Sequence, residues 1–216
     1  MSAQVNEALI REVVAEVLGR LGQATGAPAG ATAPAVKTAG EPALRGKFGV
    51  FQDAAEACEA AHEAFLQLST AGVAGRVKVN QIVKELCARH AAEWGALELA
   101  ETKIGRLDHK IEKLQGQKGL PGVEFLHPYG LSGDHGITLE EYAPFGVIGA
   151  VTPSTHSIPT MACNIITMSA AGNSAVFNAH PGAARCAVTA ARVFNEAIHR
   201  ELGIENLACI VEKPTL

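Results

Sequence analysis

Residues 147–182 read VIGAVTPSTHSIPTMACNIITMSAAGNSAVFNAHPG, and this stretch decides the fold. Val147 to Val151 is a short unbroken apolar run, the pattern of a strand buried on both faces of a parallel sheet. A polar turn, Thr152 to Ser157, leads into Ile158 to Ala171 at helical spacing. Pro159 falls in the first turn of that helix, where a missing N–H costs nothing, and Gly172-Asn173 closes it. Ser174 to Asn178 reads as a second strand and Ala179 to Gly182 as a second turn. Gly182 to Leu202 is an Ala-rich helix closed by Gly203, and Leu207 to Val211 a third strand. Strand, helix, strand, helix, strand with short connections predicts half of a doubly wound, Rossmann-like α/β sheet. Ligands of such sheets bind beyond the carboxyl ends of the strands. The two turns belong at those ends. Neither contains GxGxxG or GxxxxGK[ST], so neither common phosphate-cradling loop is present.

Upstream, Ala54 to Ser69 and Val77 to Gly105 carry apolar residues at three- and four-residue steps and read as helices broken near Thr70 to Gly75. A third, Arg106 to Gln115, completes a helical region over 54–115. Leu120 to Gly136, rich in Gly and Pro, reads as loop with a strand around Val123 to Leu126, and Ile137 to Ala143 as an exposed strand. At the start of the chain Val5, Leu9, Ile10, Val13, Val17 and Leu21 recur on one side of an amphipathic helix within residues 1–21. The following 22–45 segment is Ala, Pro, Gly and Thr with almost no periodic apolar face, the composition of a flexible linker. A helix isolated by such a linker has no core to cover, so its apolar side is expected to dock on a partner. The plainer alternative is an N-terminal helix folded back on the main domain. With only Arg11 and Arg20 on its polar side, attachment to a membrane surface is a weaker reading.

The composition agrees. In 216 residues, 48% hydrophobic and 19% charged side chains suffice for a substantial core, and a net charge of −4 gives no phosphate-backbone footprint, so nucleic acid is not expected as a partner. Five cysteines, at 58, 87, 163, 186 and 209, form no CxxC and fit reduced thiols in a cytoplasm. Neither a secretory signal nor an apolar run of membrane-spanning length is seen in the sequence.

The run Glu140 to Ala183, EEYAPFGVIGAVTPSTHSIPTMACNIITMSAAGNSAVFNAHPGA, resembles the corresponding region of CoA-acylating aldehyde dehydrogenases of the aldehyde dehydrogenase superfamily. So does AETKIGRLDHKIEK, Ala100 to Lys113. The most specific pieces are PFGVIGAVTPST, Ala171-Gly172-Asn173, and Phe177 to Gly182, which is similar to the family's Phe-Ser-Pro-His-Pro turn. The likeness spans roughly residues 46–216. An amphipathic N-terminal helix on an Ala/Pro tether is similar to the encapsulation peptide of family members packaged in bacterial microcompartments.

This resemblance implies oxidation of a short aldehyde. A cysteine thiolate adds to the carbonyl, a hydride passes to NAD, with NADP not excluded, and the acyl group is transferred to coenzyme A. By motif position Thr152, Pro153, Ser154 and Thr155 would line the cofactor. Thr155 stands where many non-acylating relatives have an oxyanion-binding Asn, and its hydroxyl would donate to developing negative charge. Asn178 stands where those relatives have a ribose-binding Lys, and His180, Pro181 and Gly182 complete the wall. The chain departs from the family in reading Ser154-Thr155-His156-Ser157 where acylating relatives commonly have Ser/Thr-Thr-Asn-Pro. The family's nucleophilic cysteine would lie beyond Leu216, and the five cysteines present read as small core hydrophobes. The strand at 137–143 would, by analogy, belong to an oligomerisation arm, so a homo-oligomer is implied for the intact enzyme.

His156 and His180 fall in neighbouring turns but lack a third ligand at matched spacing, so no metal is expected. Glu140 and Glu141 are adjacent strand residues on opposite faces and read as surface charge rather than an acid pair. The basic residues of Lys103 to Lys113 alternate with acids, the pattern of a solvated helix face. The sequence therefore supports the N-terminal portion of a CoA-acylating aldehyde dehydrogenase, cytoplasmic and placed in a microcompartment lumen through shell contacts of residues 5–21. The competing reading is a non-catalytic dehydrogenase fragment whose working part is that docking helix.

Overall fold

The computed structural model describes residues 46–215; the helix and linker expected over 1–21 and 22–45 lie outside the described residues. The elements run β1 (Val50–Phe51), α1 (Ala54–Arg89), α2 (Ala91–Thr102), α3 (Leu107–Gln115), β2 (Tyr129–Gly133), β3 (Gly136–Glu140), β4 (Val147–Thr152), α4 (Ser157–Ala170), β5 (Ser174–Ala179), α5 (Ala184–Leu202) and β6 (Ala208–Val211). Strands β1, β6, β5 and β4 form one sheet in that order, all parallel, and β2 pairs antiparallel with β3 as a separate ribbon.

Asp53 starts α1 by accepting from the amides of Ala55 (2.8 Å) and Glu56 (3.0 Å). The break expected near 70–75 is a kink at Gly72, whose φ of 64° and ψ of −159° leave the helical region. A further boundary at His90 divides what reads as one helix from 77 to 105 into the end of α1 and α2.

Alternation along the strands assigns side chains to two apolar layers. Val50, Ala175, Phe177 and Ile210 enter a large cluster with Leu68, Val79 and Val83 of α1, Trp94 of α2, Ile158, Met161 and Ile165 of α4, and Phe194 and Ile198 of α5. Phe51, Val176 and Cys209 face the other way, against Ala57, Ala60 and Ala61 at the start of α1. Alanines at this contact let the helix come close enough for Ser174 Oγ to donate to the Ala61 carbonyl at 2.6 Å. In the large layer Trp94 meets Phe194 edge to face, 5.2 Å between ring centroids, and stacks on His90 at 5.0 Å.

Three local expectations are corrected. The strand expected at Val123 to Leu126 is a single 3-10 turn, Val123–Phe125, held by amide bonds from Phe125 to Gly122 and from Leu126 to Val123. Part of the expected loop, Tyr129–Gly133, is a strand because β3 supplies its partner, Tyr129 opposite Glu140 and Gly133 opposite Gly136. β4 is not buried on both faces: it is the sheet's edge, and Val151 is 75% exposed on the side that the short Ala-rich start of α1 does not reach.

The end of α4 accounts for the Ala171-Gly172-Asn173 sequence. Gly172 has φ 87°, its amide donates to the Ser169 carbonyl and the Asn173 amide to Met168, the arrangement of a Schellman-type stop. A Cβ at Gly172 would lie 2.7 Å from the Arg76 guanidinium carbon. Asn173 Oδ1 accepts from the amides of Phe145 (2.7 Å) and Gly146 (3.0 Å), which fixes where β4 begins. Among the described residues no helix is long and apolar enough to cross a membrane.

Candidate functional site

The register of β4 on β5 pairs Val151 with Asn178 and Thr152 with Ala179, so the turns that follow leave the same end of the sheet. They are joined directly: the His180 amide donates to the Thr152 carbonyl at 3.0 Å. Thr152 is fully buried, and its Oγ1 shares a 2.9 Å hydrogen bond with the buried Ser157 Oγ across the base of the first turn. The side chain of Thr152 is thus spent on the turn itself, which leaves Pro153, Ser154, Thr155 and His156 as its accessible surface.

Thr155 is exposed, and its Oγ1 lies 2.7 Å from His156 Nδ1. Partial burial holds the His156 imidazole below its ordinary pKa, and the nearby Lys113 and Lys110 charges add to this against the opposing pull of Glu98. A neutral imidazole is therefore the form at neutral pH, and the hydroxyl and ring form a donor–acceptor pair facing solvent.

In the second turn the exposed His180 accepts the Gly182 amide on Nδ1 at 3.0 Å, and Pro181 begins a 3-10 turn, Pro181–Ala183. His180 Nδ1 is occupied in this way, and only Nε2 remains for another contact. Asn178, half-buried, donates from Nδ2 to the Thr215 carbonyl at 3.2 Å. The residues offered to a ligand at this end are hydroxyl, amide and imidazole groups, with Lys113, Arg185 and Lys213 as exposed cations in the flanking segments.

What holds the turns in place was not visible as a site in the sequence. Lys110 of α3, expected on a solvated face, is 3% exposed; its Nζ donates to Glu98 Oε2 at 2.8 Å and to the Thr155 carbonyl at 2.9 Å. Glu98, fully buried on α2, accepts the Ile158 amide on its other oxygen at 3.0 Å. One turn further along α2, Glu101 accepts the amides of Arg185 (2.9 Å) and Cys186 (2.7 Å). Two glutamates three residues apart on one helix thus cap α4 and α5, the helices that follow the two turns. The available signal was periodicity: Glu98 lies four residues after buried Trp94, and Lys110 four before buried Leu114, so both fall in apolar stripes.

Four of the five cysteines are poor nucleophiles in this setting. Burial pushes the Cys87 and Cys209 thiols up to about 12 each, and raises Cys186 and Cys163 as well. Cys58 is exposed near the start of α1.

No protein-family model matches the chain. The acetaldehyde dehydrogenase (acetylating) of Bilophila wadsworthia is 40% identical over 172 residues, 79% of this chain and 35% of its own length. A propionaldehyde dehydrogenase from the Clostridium phytofermentans fucose utilisation bacterial microcompartment is 41% identical with a TM-score of 0.75 over 77% of this chain and 39% of that one. The Rhodopseudomonas palustris propionaldehyde dehydrogenase, solved with bound CoA and an acylated cysteine, is 37% identical with a TM-score of 0.75, covering 79% and 39%. An engineered glycolyl-CoA reductase with bound NADP+ gives 37% and 0.75, covering 78% and 39%. The chain spans little more than a third of the length of these relatives. In sequence and in parallel-sheet fold the chain matches a part of the CoA-acylating aldehyde dehydrogenases.

Proposed function

We propose that this chain is the N-terminal part of an enzyme that converts a short aldehyde, CoA and NAD to acyl-CoA and NADH, with NADP an alternative acceptor. The observation that carries the reading is the union of the two turns at one end of the sheet, through the His180 amide and the Thr152 carbonyl. That end of an open parallel sheet is where dinucleotides bind. The exposed groups fit a sugar and an amide: Ser154 and Thr155 hydroxyls on one side, Asn178 and His180 on the other. Bound NAD would supply the hydride acceptor, and CoA the thiol that carries the acyl group away.

Thr155 would contact the substrate oxygen through its hydroxyl. Its partner His156 decides which way that hydroxyl points: with the proton on Nδ1 the ring donates to Thr155 Oγ1 and frees the hydroxyl proton for the oxyanion. The reacting thiol would come from outside this chain, as the family resemblance implies; burial raises the thiols of Cys87, Cys163, Cys186 and Cys209. The exposed apolar side chains of the β2–β3 ribbon, Leu131, Ile137 and Leu139 among them, support a homo-oligomer of the intact enzyme. Residues 5–21 would dock a microcompartment shell protein and place the enzyme in the lumen, a reading supported by the amphipathic pattern and by the microcompartment origin of a relative.

The chain alone, mixed with propionaldehyde, CoA and NAD, is expected to form no NADH. Exchanged for the matching third of the Clostridium phytofermentans enzyme, it is expected to give CoA-dependent NADH formation. A folded chimera without that activity contradicts the proposal.

A further inference from the structure

One turn beyond the Gly72 kink, α1 carries a half-buried cation whose bonding capacity is unspent among the described residues. Arg76 Nε is buried and has no hydrogen-bond partner, and its guanidinium makes no described ion pair. The group is packed on the end of α4, where Gly172, at φ 87°, leaves room for it: a Cβ there would lie 2.7 Å from the guanidinium carbon. A buried donor without an acceptor costs free energy, so it marks a place where a partner is missing. One turn further along α1, Asn80 repeats the pattern. It is 5% exposed and its Nδ2 donates to the Ile166 carbonyl (2.9 Å) and Ser169 Oγ (3.0 Å), but its Oδ1 has no partner.

Arg76 also lines a cavity of about 400 Å³, large enough for a small ligand, whose other walls include Val73, Val123, Leu126 and Pro128, with Glu141 and Tyr142 on the facing segment. The neighbouring charges are otherwise engaged: Lys84 Nζ donates to the Leu120 carbonyl at 2.6 Å, and Glu124 Oε1 accepts the Gly122 amide at 2.9 Å. A planar guanidinium matches a carboxylate through two parallel N–H donations. The apolar walls suit a stem of a few carbons, whereas a phosphate would press further charged oxygens against them.

We propose that this cavity binds a free monocarboxylate with a short apolar stem, its carboxylate on the Arg76 guanidinium and its carbons against Val73, Val123 and Leu126. Ala170 and Ala171 in the cavity wall lie at the end of α4 that leads into the start of β5, opposite the end of the sheet where the two turns are. The proposal therefore stands apart from the cofactor reading. Glu141, exposed in the wall, opposes an anion and lowers the affinity of the site without closing it.

The test titrates sodium butyrate into the 216-residue chain labelled with nitrogen-15, at constant ionic strength, with butyramide as the uncharged isostere and inorganic phosphate as the competing anion. Butyrate is expected to shift the amide signals of Val73, Arg76, Val123 and Tyr142 saturably, with a dissociation constant on the order of 1 mM. Butyramide and phosphate should bind at least about tenfold more weakly. Arg76→Met should abolish these shifts, and Glu141→Gln should tighten butyrate binding about threefold. If Arg76→Met does not fold, Arg76→Lys keeps the charge without the fork and should bind more weakly than wild type. The proposal is overturned by wild-type amides that do not shift saturably, by butyramide or phosphate binding as tightly as butyrate, or by a folded Arg76 variant that keeps the wild-type affinity.

Discussion

The turn end of the main sheet and the β2–β3 ribbon are opposites in how their groups are satisfied. At the turns nearly every buried polar group has an internal partner: Thr152 with Ser157, Lys110 with Glu98, Glu101 with two amides. The ribbon exposes Leu131, Ile137 and Leu139 at 60 to 80% and contributes no residue to either apolar layer. The difference separates two kinds of surface. A framework that spends buried charges on fixing backbone is suited to hold a small ligand in one geometry, whereas a ribbon of bare apolar side chains is suited to be covered by another polypeptide.

The largest effect that would break this comparison belongs to Lys110. Lys110→Met leaves Glu98 buried without its cation and should destabilise the chain by roughly 3–5 kcal/mol in urea unfolding. A loss below ~1 kcal/mol would mean that the pair does not hold the first turn. Glu101→Gln keeps one acceptor for two amides and should cost about 1 kcal/mol, with faster amide exchange confined to Arg185 and Cys186.

A smaller effect concerns His156. Its folded pKa is depressed, so the folded state resists protonation there more than the unfolded chain does. Its contribution to stability is in place above the ordinary value of 6.5 and is lost as pH falls through the lower folded value. The ring should titrate by NMR with a midpoint below 6.5; a midpoint at or above it contradicts the burial described. The smallest change is expected on the ribbon: Ile137→Ser should alter the unfolding free energy of the monomer by no more than about 0.5 kcal/mol while weakening any self-association seen by sedimentation. A large loss of monomer stability would show that the ribbon serves the core after all.

The same contrast explains what the sequence made legible. The order β4, α4, β5, α5, β6 could be read because each piece carries its own local signal: short apolar runs, Pro159 near a helix start, Gly172 and Gly203 at helix ends. β1 could not, since two residues signal nothing and Val50 and Phe51 are strand only through pairing with Ile210 and Val211, 160 residues away. Tyr129–Gly133 contains two glycines and a serine and looks like loop until β3 lies beside it. The turns were recognisable from their letters and their place after strands. Their support was not, because a buried lysine or glutamate is decided by the partner it finds. Glu98 finds Lys110, on the next helix, and Ile158, 60 residues on.

The central claim is that the two turns act together as one nucleotide site, and a titration of NAD into the nitrogen-15-labelled chain tests it most directly. The account predicts saturable shifts with one common dissociation constant for amides of both Thr152 to His156 and Asn178 to Gly182. Shifts confined to one turn, or to residues elsewhere with both turns silent, would contradict it.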